Sequence, residues 1–179
     1  MKRCIAIVLL FAMSSLATAQ IGNTVKSFKN SLVYEDLELK FLQVGKLSKG
    51  IFKYDGHYYL SQKLDQIYLV ELVTNRGENK ILAQALYFPD DPSKWNFFTV
   101  AEFIYEAVGS GMPLKKIIMT IKPMFRETAD KYLMLDEYEK QHVSVYTEKN
   151  VGSYKFVIKR IPAGDWVATV ADRSNRIGR

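Results

Sequence analysis

A single cysteine, Cys4, stands in the whole chain, within its first few residues. The remainder therefore has no disulfide, no thiol nucleophile and no cysteine-based zinc site open to it. Histidine is nearly as scarce: His57 and His142 share no ligand spacing, and no His-Glu-x-x-His pattern occurs. No asparagine occupies an Asn-x-Ser/Thr acceptor pattern, which fits a bacterial envelope or secreted protein better than a eukaryotic secreted one. Charge of neither sign dominates. Lysine and arginine number 25 against 19 acidic residues, for a formal net charge of +6, a mild excess that points to no nucleic-acid partner.

What is present begins with a leader. Lys2 and Arg3, an apolar stretch over residues 4–12 and the small residues Ala17-Thr18-Ala19 have the three parts of a secretory signal peptide. The apolar stretch is too short for a membrane-spanning helix, which needs about 18 residues or more. Cleavage after Ala19 leaves Gln20 first. Residues 20–172 then read as one globular α+β domain, long enough to be stabilised by packing without disulfides. Residues 173–179, with Arg173, Arg176 and Arg179 among Ser, Asn and Gly, read as a basic flexible tail.

The stretch Thr99-Val-Ala-Glu102 has capping-box spacing, with Phe98 and Phe103 as a hydrophobic staple. Val100, Phe103, Ile104, Ala107 and Val108 follow as one wide apolar stripe, and Gly109 supplies the stop. Such a stripe needs a partner surface, and the other apolar segments read as strands. Residues 21–32 predict a short amphipathic helix capped by Asn23 or Thr24, with Val25, Phe28 and Leu32 inward. Alternation of Leu37, Leu39 and Phe41 predicts a strand, with residues 45–50 as the turn after it.

Within residues 51–61, Asp55-Gly56 between aromatic flanks predicts a two-residue hairpin turn. That register places Phe52, Tyr54, His57 and Tyr59 on one face and Ile51, Lys53, Tyr58 and Leu60 on the other. The first set is the candidate ligand-binding face, a stacking platform; aromatic packing beneath a helix is the competing reading. Residues 67–73 and 81–88 predict central strands ended at Pro89. A second helix opens at Met112-Pro113 with Leu114, Ile117, Ile118 and Ile121 inward, and Pro123 predicts a kink or restart. A third segment buries Phe125, Ala129, Tyr132 and Leu133, with Glu127 and Lys131 paired outside. Residues 143–147 and 153–161 predict a final hairpin that places His142 at a strand start, and 166–170 a short last strand.

Motifs for chemistry are thin. Gly109-Ser110-Gly111 follows a helix, which is the wrong context for a nucleophile elbow, and no Walker pattern accompanies it. Asp90 and Asp91 are neighbours in a tight turn and cannot flank a scissile bond. Asp91 caps a turn at Pro92 more simply. Trp95, Phe97 and Phe98 form an aromatic knot at the core or a pocket edge.

The expected fold is therefore α+β: a curved antiparallel sheet of about six to seven hairpin-connected strands, with an N-terminal helix and a central two-to-three-helix section packed on it. The leading functional expectation is an exported, non-catalytic domain in the periplasm or outside the cell. It would bind a protein, peptide or apolar ligand, without cofactor or metal. The alternatives are a small hydrolase assembled around His57 from distant residues, and an envelope protein whose Lys115, Lys116 and Lys122 face touches anionic lipid.

Overall fold

The computed structural model describes residues 20–49, 52–61, 68–77, 79–89, 97–162 and 164–174. The expectations for the leader, Ile51, Ile67, Asp90 to Pro92, Trp95 and the tail from residue 175 lie outside them. Seven strands form one open antiparallel sheet: β1 (Leu39–Lys49), β2 (Phe52–Ser61), β3 (Leu69–Asn75), β4 (Ile81–Phe88), β5 (Val145–Val151), β6 (Tyr154–Arg160) and β7 (Trp166–Asp172). Their spatial order is β1-β2-β3-β4-β7-β6-β5, so β1 and β5 are the two edges.

One row of paired residues crosses every strand: Phe41, Tyr59, Val70, Leu86, Ala168, Ile158 and Thr147. All are buried except Phe41. Because side chains alternate across a strand, this row and those two residues away form the face that meets the helices. Helix α3 (Phe97–Val108) packs over β4 and β7, and α4 (Leu114–Leu133) over β5 and β6. The stripe expected of α3 is all inside, with Val100, Ile104 and Ala107 at 0% exposure. Val100 and Ile104 each contribute about 1.5–3 kcal/mol by leaving water. Gly109 then takes φ +68°, the left-handed conformation a helix stop requires.

Thr24 caps α1 (Val25–Phe28) as expected, its hydroxyl accepting from Ser27 N at 3.4 Å. The helix does not continue to residue 32. Ser31 starts a second turn, α2 (Leu32–Asp36), by accepting from Tyr34 N at 3.2 Å, and this break lets both Phe28 and Val33 face inward. Local polar side chains here outcompete helix continuation.

Other expectations are corrected. Thr99 is not a cap, because it already lies within α3, which is helical from Phe97, the first described residue of this stretch. Phe97 meets Phe125 edge-to-face at 5.8 Å, within a chain of rings that includes Phe88 and Trp166, and this packing anchors the first turn of α3. Phe98, the expected staple, is 59% exposed. Pro123 does not divide α4, which is one helix of 20 residues. The carbonyl that Pro123 leaves without a donor is that of Met119, whose side chain is 68% exposed, so water can reach that side of the helix. Leu133 is exposed rather than buried. A further helix, α5 (Glu137–His142), opens with a capping box between Asp136 and Glu139 and ends at His142, which is thus not at a strand start. The His142 ring stacks on Tyr138 at 4.2 Å, and its Nδ1 bonds the Tyr138 carbonyl oxygen at 2.8 Å.

The largest correction concerns β1 and β2. Residues 45–49 are strand, not turn, and Asp55-Gly56 lies mid-strand, paired with Lys46 and Gly45. The two glycines face each other because the Tyr58 ring lies over both. A Cβ at Gly56 would come within 2.9 Å of the Tyr58 hydroxyl, and one at Gly45 within 3.2 Å of its ring. They are clearance glycines, and only their composition resembles a turn.

Candidate functional site at the open edge of the sheet

The four residues expected on one binding face are divided between two. Since β2 is unbroken, His57 and Tyr59 point toward the helices, and Tyr54 shares the opposite face with the Phe52 position. Tyr59 is fully buried among Phe28, Tyr34 and Phe41, with ring centroids 5.4, 5.8 and 5.7 Å away. Its hydroxyl has no hydrogen-bond partner. Burial, with a smaller push from Tyr34, raises its pKa to about 12. Tyr54 is half-buried, and its carbonyl accepts from Arg76 Nη2 at 3.2 Å. Phe52 pairs with Lys49 through the backbone; its side chain lies outside the described residues.

His57 is half-buried, with Nε2 3.3 Å from Thr74 Oγ1. Burial lowers its pKa, Asp55 opposes that shift and Lys29 adds to it. This is the nearest approach to a hydrolytic arrangement, and its parts are otherwise engaged. Thr74 is 1% exposed and its hydroxyl donates to the Asp55 carbonyl at 3.3 Å, while the Asp55 carboxylate is held by Arg76 Nε at 3.2 Å. No water-facing nucleophile, base and orienter line up here. Among the described residues, no group of three or more His, Cys, Asp or Glu could hold a metal ion.

On the face away from the helices, Glu71 clamps three strands. Tyr58 donates to its Oε1 at 2.9 Å from β2, and Tyr87 to its Oε2 at 2.8 Å from β4. Burial first, then the carboxylate, pushes Tyr58 up to about 12 and raises Tyr87 as well. With both oxygens accepting from phenols that stay protonated, the cluster stabilises the sheet rather than presenting a reactive group.

What the molecule exposes is β1. Leu39 is buried, but beyond it Phe41, Leu42 and Val44 are 49%, 51% and 50% exposed. A bulge between Phe41 and Gln43 makes Leu42 the extra residue. β1 spans 11 residues and contains Lys40, Lys46 and Lys49 but no carboxylate. Lys29 lies over the Phe41 ring at 5.7 Å and also lines an open groove of about 430 Å³ with Ser31, Tyr34, Glu35, Glu38 and Leu39. Glu38 in that groove has φ +49°, an uncommon conformation for a residue with a side chain. Alternation in the sequence placed Phe41 on the buried side with Leu37 and Leu39. It carried no sign that β1 is an edge, since that depends on which strands meet in space.

Set against known proteins, the chain matches no family model, no curated protein and no solved structure.

Proposed function

We propose that this is an exported, non-catalytic binding domain that recognises an extended, acidic peptide segment by adding it as a strand beside β1. The observation that carries the reading is the half-exposed Phe41, Leu42 and Val44 on a long edge strand that holds lysines and no acid. An exposed apolar edge is a template for another strand: backbone hydrogen bonds supply affinity and alternate side chains supply selectivity. The lysines favour a partner of opposite charge. A second copy of β1 would oppose lysine to lysine, which disfavours self-pairing. Export is supported by the leader pattern of residues 1–19, with its basic start, short apolar run and small-residue end.

The test uses two synthetic peptides, one alternating valine with glutamate and one alternating valine with lysine. The glutamate peptide is expected to bind and to slow amide hydrogen exchange along residues 43–49, and the lysine peptide to do neither. Val44→Glu should abolish that binding while stability stays within about 0.5 kcal/mol, as for surface substitutions generally. Equal behaviour of the two peptides, or protection elsewhere than β1, overturns the reading.

A further inference from the structure

Glu106 is a carboxylate in the wrong place for a simple amphipathic helix. It lies on α3 among Phe103, Ala107 and Val108 and is only 9% exposed. Its Oε2 accepts from Gln20 Nε2 at 2.9 Å and from Val33 N at 3.2 Å, and the Ser31 hydroxyl bonds it too. All of these donors are neutral. The charged group that acts on it is Asp36, of like sign, which adds to the effect of burial in raising its pKa. Among the described residues its donors are neutral alone, and a buried carboxylate so held is costly to keep ionised unless a cation joins it.

Gln20 is where such a cation would arise. It is 5% exposed, and its side chain continues the network, with Oε1 accepting from Gln84 Nε2 at 2.9 Å. Its backbone nitrogen donates to the Glu106 carbonyl at 3.2 Å, and the next nitrogen, of Ile21, to the Ala107 carbonyl at 3.1 Å. These carbonyls belong to the last turn of α3, where no amide of the helix follows to bond them. The C-terminal end of a helix also favours positive charge. Immediately before Gln20 stands Ala17-Thr18-Ala19, the small-residue pattern of a cleavage site.

We infer that hydrolysis of the Ala19–Gln20 bond completes this fold, because the α-ammonium it releases seats on the Glu106 carbonyl at the C-terminal end of α3 and pairs with the Glu106 carboxylate. Water adds across the peptide bond, leaving a carboxylate on Ala19 and an ammonium on Gln20. The inference rests on the leader reading above. The same contacts protect the new terminus. A free N-terminal glutamine closes on itself when its neutral amine attacks the side-chain carbonyl and expels ammonia. Here the amine is held as ammonium, and the amide is held by Glu106 and Gln84.

All described elements lie within residues 20–174, so the test compares chains prepared in vitro to begin at Gln20 or at Ala19, each with and without Glu106→Gln. Both starts carry one terminal ammonium, displaced by one residue. The Gln20 chain is expected to melt higher than the Ala19 chain, and Glu106→Gln, which keeps hydrogen-bonding capacity, should erase that difference. The α-amine of the Gln20 chain should titrate above its usual range of about 7.7–8.0. Intact mass should show ammonia retained in the folded Gln20 chain and lost from a denatured sample held equally long. Equal melting of the two starts, a difference that survives Glu106→Gln, or ammonia loss as fast folded as denatured overturns the inference. Because the termini are set in vitro, none of these outcomes depends on whether cells cut there, which the mass of exported protein decides separately.

Discussion

The two edges of the sheet solve the same problem differently. β5 spans seven residues and alternates toward solvent with Tyr146, Glu148 and Asn150. Lys131, from α4, donates to its Tyr146 carbonyl at 3.0 Å and reaches Thr147 Oγ1 at 3.4 Å, so part of its ladder is already occupied. Glu148 also pairs with Lys155 at 2.5 Å. Short length, charge and a covering helix are the ordinary means of blunting an edge. β1 has a bulge and lysines, but it is longer, free of carboxylates, and half exposes Phe41, Leu42 and Val44. One edge is thus guarded and the other left apolar, which is the contrast that the proposed binding at β1 rests on.

The strongest way to break that contrast is to move one strand inward. Tyr59 and Phe41 are paired in the same row, one buried completely and one half exposed. Tyr59→Ala should therefore cost about 3–5 kcal/mol, as buried aromatic truncations do. Phe41→Ala should cost no more than about 1–2 kcal/mol, since half its surface is in water already. Chemical denaturation midpoints with equal losses would mean β1 is covered. Tyr59→Phe sharpens the point by removing a buried hydroxyl with no partner, and should leave stability unchanged or raise it by about 1 kcal/mol.

A smaller effect is expected at the guarded edge. Lys131→Met keeps the helical stem but removes the ammonium from the Tyr146 carbonyl and from Glu127, its i, i+4 partner at 2.8 Å. Both ends of that ion pair are about half exposed and screened by water, so little stability should be lost. The sharper readout is sedimentation: the variant should self-associate more than the parent as a free carbonyl returns to the β5 edge. A variant as monomeric as its parent would mean β5 is protected by something other than Lys131.

These variants also mark where sequence reading succeeded. The α3 stripe, the Thr24 cap, the two central strands and the Glu127–Lys131 pair were legible because each depends on residues close in the chain. Gly45 and Gly56 misled because composition cannot distinguish a glycine that turns from one that makes room, and the ring that needs the room, Tyr58, is revealed only by cross-strand register. The same error divided the expected Phe52, Tyr54, His57 and Tyr59 face, since a single unbroken strand alternates where a hairpin would have brought them together. Thr99 failed for another reason: aromatic packing of Phe97 on Phe125 outweighed a local capping signal. The Asp136 to Glu139 box has the right residues in the sequence, but the segment around it has too little apolar periodicity to mark a helix. Glu106 was equally hidden, as nothing local distinguishes a buried carboxylate from a solvated one.

The smallest effect, and the most direct probe of the β1 end, concerns His57, which pairs with Val44 of the edge. In the unfolded chain its imidazole gains a proton near pH 6.5. In the fold, burial and the Lys29 ammonium lower that value despite Asp55, so over the window below 6.5 the unfolded chain binds more proton than the native one. Stability must then rise with pH across this window. The contribution of neutral His57 is fully present above pH 6.5 and is lost as pH falls through its folded value. His57→Gln should flatten that portion of the stability curve. Lys29→Met should move the His57 titration upward, toward 6.5, when followed by the imidazole resonances in NMR, and should uncover the Phe41 ring at the same time. A His57 titration unmoved by Lys29→Met would mean that Lys29 does not lie over this end of the sheet, and the charge assigned to the open edge would lose one of its members.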